Sequence, residues 1–387
     1  MEMESFQYIE NTGWSVDRFP ELDSPKTLVL IFASPIFKNH DEPIKELSHF
    51  YKQAKIMGCS TAGEIFGAKI YDNSLTVSVI RFKHTNLKLA TAKIADAKDS
   101  FSAGATIAQI LNEHELHSIF ILSDGLNING CELISGLNTK TDPGVVITGG
   151  LAGDGPNFKN TWVIAEGKIL ESYAVAIGFY GKHICVGHAF KGGWDIFGPE
   201  RRITRSEGNI LYELDNRPAL SLYKEYLGER AAELPSSGLL YPLAIRNSAD
   251  KKFTPLVRTI LNVDEKNQSL IFAGDMPVGY YAQLMRANFD RLIQSASEAS
   301  ELANRFANKE KCEPVAPLLA IDISCVGRRL LLGERTEEET EATCDSLPYG
   351  ATQIGFYSYG ELSPSGVGSC ELHNQTMTIT TMFERDI

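Results

Sequence analysis

A mixed α/β (α+β) fold, rich in strands and built from two related modules with helices packed on sheets, is predicted by three observations. Short apolar runs dominated by Val, Ile and Thr recur along the chain. Amphipathic helical segments are fewer and separate groups of these runs. Two stretches near opposite ends repeat one glycine–acid pattern, so the chain reads as two related halves.

The predicted strands are Thr27–Ala33, Leu75–Phe82, Ser118–Ser123, Val145–Thr148, Tyr173–Phe179, Tyr241–Ile245, Pro317–Ser324 and Thr376–Phe383. β-Branched and aromatic residues suit a pleated surface. Several of these runs are apolar throughout, as strands covered on both faces are. Three helices are predicted. Asp41–Ala54 opens on an acid with Pro43 in its first turn and places Ile44, Leu47, Phe50 and Ala54 on one face. A second follows Pro218 and stops at Gly228, and the third runs from about Asn288 to Phe306. The glycines and charges of Gly192–Gly208 interrupt the pattern, which predicts modules of 1–200 and 201–387.

The repeat pairs Gly58-Cys59-Ser60-Thr61-Ala62-Gly63-Glu64-Ile65 with Gly355-Phe356-Tyr357-Ser358-Tyr359-Gly360-Glu361-Leu362. Each copy precedes a turn-rich spacer and a strand. Asp72-Asn73-Ser74 closes the first spacer and His373-Asn374-Gln375-Thr376 the second, which sets His373 against Asp72. A weaker relative, Gly149-Gly150-Leu151-Ala152-Gly153-Asp154, precedes Tyr173–Phe179, and Ala273-Gly274-Asp275 matches only the last three positions.

The formal charge is −12, from 37 basic and 49 acidic side chains, which disfavours nucleic acid and anionic membranes as partners. Arg201, Arg202 and Arg205 form one basic cluster, bracketed by Glu200 and Glu207, and read as a solvated strand edge. No apolar run reaches membrane-spanning length, and Met-Glu-Met-Glu-Ser lacks the features of an export signal; the expectation is a cytoplasmic protein without membrane insertion. The seven cysteines have no metal-binding spacing and are expected to be reduced.

Catalytic signatures miss. Gly58–Gly63 is one residue too long for a nucleophile elbow, and the second copy carries Tyr357 in place of Ser60. A hydrolase using Ser60 or Cys59 is therefore the weakest reading. His114-Glu115-Leu116-His117 misses zinc-protease spacing by one residue and reads as an exposed helix end. What remains is a set of polar loop residues at strand ends, where pockets form: Ser60, Thr61, Glu64, Asp124, Asn127, Asn129, Asp154, Asn157, Glu361, His373 and Asn374. Taken singly, each acid is a turn residue first; together they suggest a polar pocket.

The three glycine motifs, Ser123-Asp124-Gly125-Leu126-Asn127, Asp215-Asn216-Arg217-Pro218-Ala219-Leu220 and the Ala273-Gly274-Asp275 region occur in the order that resembles the N- and C-terminal modules of FIST proteins. The resemblance covers nearly the whole chain. It implies a sensory, ligand-binding protein that signals in trans to a histidine kinase or cyclase. Ser60, Thr61, Glu64, Asp124, Asn127, Asp154, Glu361 and Asn374 are the expected ligand residues. Because stand-alone bacterial members include haem-binding nitric-oxide sensors of the NosP type, haem b with His373 as axial ligand is a further expectation. The alternative is an amino acid or other polar metabolite whose amine faces Glu64, Asp154 and Glu361. A homo-oligomer stays open.

Overall fold

The computed structural model describes residues 1–247, 256–309, 317–365 and 369–385. Its body is a threefold repeat. The first unit contains β1 (Glu2–Ile9), β2 (Thr27–Ala33), α1 (Glu42–Phe50), β3 (Lys55–Ser60), the hairpin β4 (Glu64–Phe66) and β5 (Lys69–Tyr71), and β6 (Ser74–Arg81). The second contains β7 (Asn86–Lys93), α2 (Ser100–Leu111), β8 (Leu116–Ser123), α3 (Gly130–Lys140), β9 (Val146–Leu151), the hairpin β10 (Val163–Ala165) and β11 (Lys168–Leu170), and β12 (Tyr173–Tyr180).

The third unit opens with β13 (Ile184–Lys191) and is then interrupted by an inserted module. That module holds β14 (Asp195–Glu207), β15 (Ile210–Leu214), α4 (Ala219–Leu227), β16 (Leu243–Arg246), β17 (Leu256–Arg258), β18 (Ile260–Asp264), β19 (Ser269–Phe272) and β20 (Tyr281–Arg286). The unit resumes with α5 (Phe289–Lys309), β21 (Leu318–Cys325), α6 (Val326–Leu332), α7 (Thr336–Asp345), β22 (Ala351–Ser358), the hairpin β23 (Gly360–Pro364) and β24 (Cys370–His373), and β25 (Met377–Glu384).

Each unit donates its hairpin to a neighbour's sheet. The three body sheets run β11-β10-β3-β2-β6-β1, β24-β23-β9-β8-β12-β7 and β5-β4-β22-β21-β25-β13 among the described residues. The first unit's hairpin thus sits in the third sheet, the second's in the first, and the third's in the second. This exchange closes a circle. In each sheet two parallel strands lie at the centre, β2 with β3, β8 with β9 and β21 with β22.

Continuously apolar strands serve two cores, since alternate residues face opposite ways. Leu28, Leu30 and Phe32 join Phe120, Leu122, Ile321, Ile323 and Phe356 in a core shared by all three sheets. Val29, Ile31 and Ala33 pack outward under α1. At the centre the rings of Phe32 and Phe356 are 4.7 Å apart.

The strand predictions hold within a few residues, and Thr27–Ala33 has its predicted bounds. Helices α2 and α3 are absent from the prediction because their contact face is made of small residues. A Cβ added at Gly104 would lie 2.0 Å from the Leu133 carbonyl oxygen, and one at Gly136 2.1 Å from that of Phe101. Close helix packing demands these glycines, and in sequence they resemble a loop. The His114–His117 segment is no helix end: β8 starts at Leu116. Arg201 and Arg205 pair with Asp215 and Glu213, but the expectation of a strand edge fails: β14 lies inside the module sheet, between β20 and β15. Five cysteines are free thiols, but Cys185 is disulfide-bonded, against the expectation of reduced thiols. Cys312 lies outside the described residues.

Candidate functional site

The first glycine of each motif has one cause. A Cβ at Gly58, Gly149 or Gly355 would stand 2.1, 1.8 or 2.0 Å from the carbonyl oxygen of Ile31, Ile121 or Asp322 on the adjacent parallel strand. The loops that follow meet in a ring of three backbone hydrogen bonds. Gly153 N–H donates to the Ser60 carbonyl at 3.0 Å, Tyr359 N–H to that of Leu151 at 3.2 Å, and Ala62 N–H to that of Tyr357 at 2.8 Å. The third glycine motif is therefore a true copy, and the loops close one end of the body.

The motif acids tie each donated hairpin back to its own unit. Glu64 is buried, and its Oε2 accepts from the backbone N–H and hydroxyl of Ser74 at 3.2 and 2.7 Å. Glu361 does the same with Thr376, at 3.2 and 2.9 Å. Burial pushes both carboxyls up to about 8. Asp124 replaces them in the second unit by accepting from Ser172 N–H at 3.1 Å. Ser60 accepts from Trp162 N–H, and the Thr61 hydroxyl bonds Glu64. Asn127 is exposed, with its backbone N–H on Asp124. Asp154 accepts from the N–H groups of Phe158, Lys159 and Asn160 and from the Tyr359 hydroxyl. These seven predicted ligand residues hold loops and strand starts in place.

A cavity of about 230 Å³ lies between the inserted module and the body. That is several times the roughly 30 Å³ a liquid water occupies. Leu239, Thr259, Ile260 and Leu261 line it from the module; Phe158, Tyr359, Val326 and Leu330 line it from the body. Phe158, Leu261 and Leu330 are 47%, 47% and 45% exposed, an apolar rim of the kind that marks binding grooves. Asp154 contributes indirectly: it fixes Tyr359, whose ring stacks on Phe158 at 4.5 Å.

Asn374 is the one predicted ligand residue in this cavity. It is 1% exposed, yet among the described residues neither Oδ1 nor Nδ2 has a hydrogen-bond partner. The Thr259 hydroxyl, also buried, is equally unpaired. Other buried side chains, Gln375 and Ser300 among them, likewise have unpaired polar atoms, and the accessible wall of the cavity is mainly apolar. Cys325 lines the cavity too, with a thiol that burial keeps protonated. Sequence reasoning missed Thr259, Cys325 and the apolar wall, since no motif marks residues brought together by an insertion.

His373 lies elsewhere. It is buried with its ring 3.7 Å from that of Phe190, its Nε2 is 2.9 Å from the Ser363 carbonyl oxygen, and burial pushes it down to about 3. It does not line the cavity, and this geometry does not fit an axial haem ligand. No group of three metal-ligating side chains occurs among the described residues. The register also corrects the repeat. His373 pairs with Glu361 as Tyr71 pairs with Glu64, so Tyr71 is the counterpart of His373 and Asp72 that of Asn374. The left-handed residues Asn73 (φ 54°) and Gln375 (φ 60°) follow in step.

A three-unit frame with a docked module and a cavity at their seam defines a protein of mixed α/β class. The chain belongs to the FIST family: residues 27–217 match the FIST N domain and residues 219–364 the FIST C domain. FIST domains are sensory domains of signal transduction. The chain is similar to an uncharacterized protein of Methanocaldococcus jannaschii, 25% identical over 366 residues that cover 86% of this chain. It spans 65% of the length of that protein. A cyanuric acid hydrolase from A. caulinodans aligns over 78% of this chain and 100% of its own, at 9% identity and a TM-score of 0.19. No helix among the described residues is long and apolar enough to cross a membrane.

Proposed function

We propose that this protein is a cytoplasmic ligand-binding sensor whose sensory site is the seam cavity, and that it acts in trans on a histidine kinase or cyclase. The observation that carries this reading is the cavity of about 230 Å³, lined by Leu239, Ile260 and Leu261 of the module and Phe158, Tyr359 and Val326 of the body. The cavity draws one wall from the module and one from the body, so a ligand touching both favours their docked arrangement. A ligand shifts an equilibrium by its difference in affinity between states, and contacts to two bodies supply that difference. The amine-binding and hydrolase readings draw no support from this site. Glu64, Asp154 and Glu361 lie outside it, Ser60 is engaged by Trp162, and Cys59 is buried in the shared core.

The test is a small-molecule thermal-shift screen of the wild type beside Leu261→Trp, which adds bulk at the cavity rim. Stabilisation reaches about 2.7 kcal/mol at a hundredfold excess over Kd. Hits that stabilise the wild type and not Leu261→Trp support the site, and their effect on kinase autophosphorylation then tests the output. Hits that stabilise both equally place the ligand elsewhere.

A further inference from the structure

We infer that the cavity between module and body takes an uncharged aromatic molecule of about two fused rings. This ligand class rests on the sensory reading of the cavity. Among the described residues that line it, no Asp, Glu, Lys, Arg or His occurs. Arg258 is adjacent to Thr259 in sequence, but its guanidinium donates to the carbonyl oxygens of Val257, Leu372 and Asp275. The polar atoms of Thr259 and Asn374 are covered, and the Tyr359 hydroxyl is engaged by Asp154 and the Gly155 carbonyl. The wall that a ligand meets is therefore mainly hydrocarbon. A carboxylate or ammonium entering it would lose hydration and gain no counter-charge. An apolar body gains from the surface it removes from water.

Size narrows the class. An engineered cavity of about 150 Å³ lined by Leu, Ile and Phe stays dry and binds benzene. At about 230 Å³ this cavity is larger by roughly half, which is the step from one ring to two fused rings.

The aromatic preference comes from Phe158. Its backbone is left-handed, with φ 53°, a conformation that disfavours bulky residues. Asp154 holds it there: Oδ1 accepts from Phe158 N–H at 2.8 Å, and Oδ2 from the N–H groups of Lys159 and Asn160 at 2.9 and 2.8 Å. The ring stacks on that of Tyr359 with an interplanar angle of 15°, while the residue stays 47% exposed at the rim. Backbone strain fixed by its surroundings recurs at ligand clamps. Here it presents a half-exposed ring at the mouth of an apolar cavity, and aromatic pairs gain beyond the area they bury.

The test titrates the full-length protein with 2-methylquinoline and N-methylquinolinium, at a mildly alkaline pH where the first is uncharged. The two probes have the same size and differ in charge. Binding is read from methyl resonances, because a ring seated in the cavity shifts the methyls of Leu239, Ile260 and Val326 by its ring current. The neutral probe is expected to shift these methyls and to bind at least about tenfold more tightly than the cation. Phe158→Leu keeps the rim apolar and, at a half-exposed position, should weaken the neutral probe about threefold to tenfold. Absence of binding, an equal or tighter cation, shifts confined to other methyls, or an affinity unchanged in Phe158→Leu overturns the aromatic class alone. If no molecule, probe or screened, shifts the cavity methyls or loses affinity in Leu261→Trp, the cavity reading itself falls.

Discussion

Two turns of the same backbone, Asp72-Asn73-Ser74 in the first unit and Asn374-Gln375-Thr376 in the third, have opposite surroundings. Each follows a donated hairpin, carries a left-handed residue and starts a strand held by a buried glutamate. Adjacent arginines of α6 hold them. Arg329 grips the Asp72 carboxylate from the surface with contacts of 2.9 and 2.6 Å. Arg328 is fully buried, donates to the Gln375 carbonyl, and is paired with Glu339, likewise buried. One turn faces solvent through an ion pair, and the other is buried beside a cavity with its amide unpaired among the described residues. A repeated frame supplies equivalent positions, and the inserted module buries one of them beside a cavity.

The largest effect should come from the buried pair. Glu339→Ala strands the Arg328 charge, which among the described residues keeps the carbonyls of Gly192, Gln375 and Leu292. Urea unfolding should show a loss of about 3–5 kcal/mol. A loss below 1 kcal/mol would break the contrast between the two arginines.

The next effect is a pH dependence shared by both turns. Glu64 and Glu361 stay protonated up to about 8 in the folded chain, against the usual 4.5. A raised folded value favours the native state fully below the unfolded value, and that advantage is lost as pH rises towards the folded one. Stability should therefore fall as pH rises between about pH 4.5 and 8. Asp322, pushed up to about 7 by burial, adds a slope of the same sign. Thermal melts of a Glu64→Gln, Glu361→Gln double variant should show a shallower dependence; an unchanged slope would assign it to other groups.

Reciprocal swaps sharpen the comparison at the smaller end. Asn374→Asp places a carboxylate on the neutral cavity wall and should cost about 1–3 kcal/mol at neutral pH, recovered on acidification. Asp72→Asn removes an exposed partner of Arg329 and should cost less than about 1 kcal/mol, with an effect that salt screens. Equal losses in the two swaps, measured by chemical unfolding with and without added salt, would show that the turns have equivalent environments.

Much of this was legible in the sequence. Strand positions were readable because residues serving two cores must be apolar in both phases, as in Thr27–Ala33. The paired glycine–acid motifs were readable because close strand packing excludes a Cβ at Gly58 and Gly355. The second unit was fainter, since Val163 replaces the acid and Asp124 does its work from another loop. Helices α2 and α3 were hidden by the glycines that let them touch. The pairing of His373 with Asp72 failed because spacer lengths differ, and the hairpin register fixes what spacing leaves open.

The sequence by itself determined the strand-rich mixed fold, the family and the repeated glycine loops, because backbone contact and alternating burial act on neighbouring residues and leave a local pattern. Tertiary structure alone decided the cyclic exchange of hairpins and the use of the motif acids as internal ties. It also decided the cavity, since Asn374 and Thr259 stand 115 positions apart in the chain and line one cavity only because the inserted module closes over the third turn.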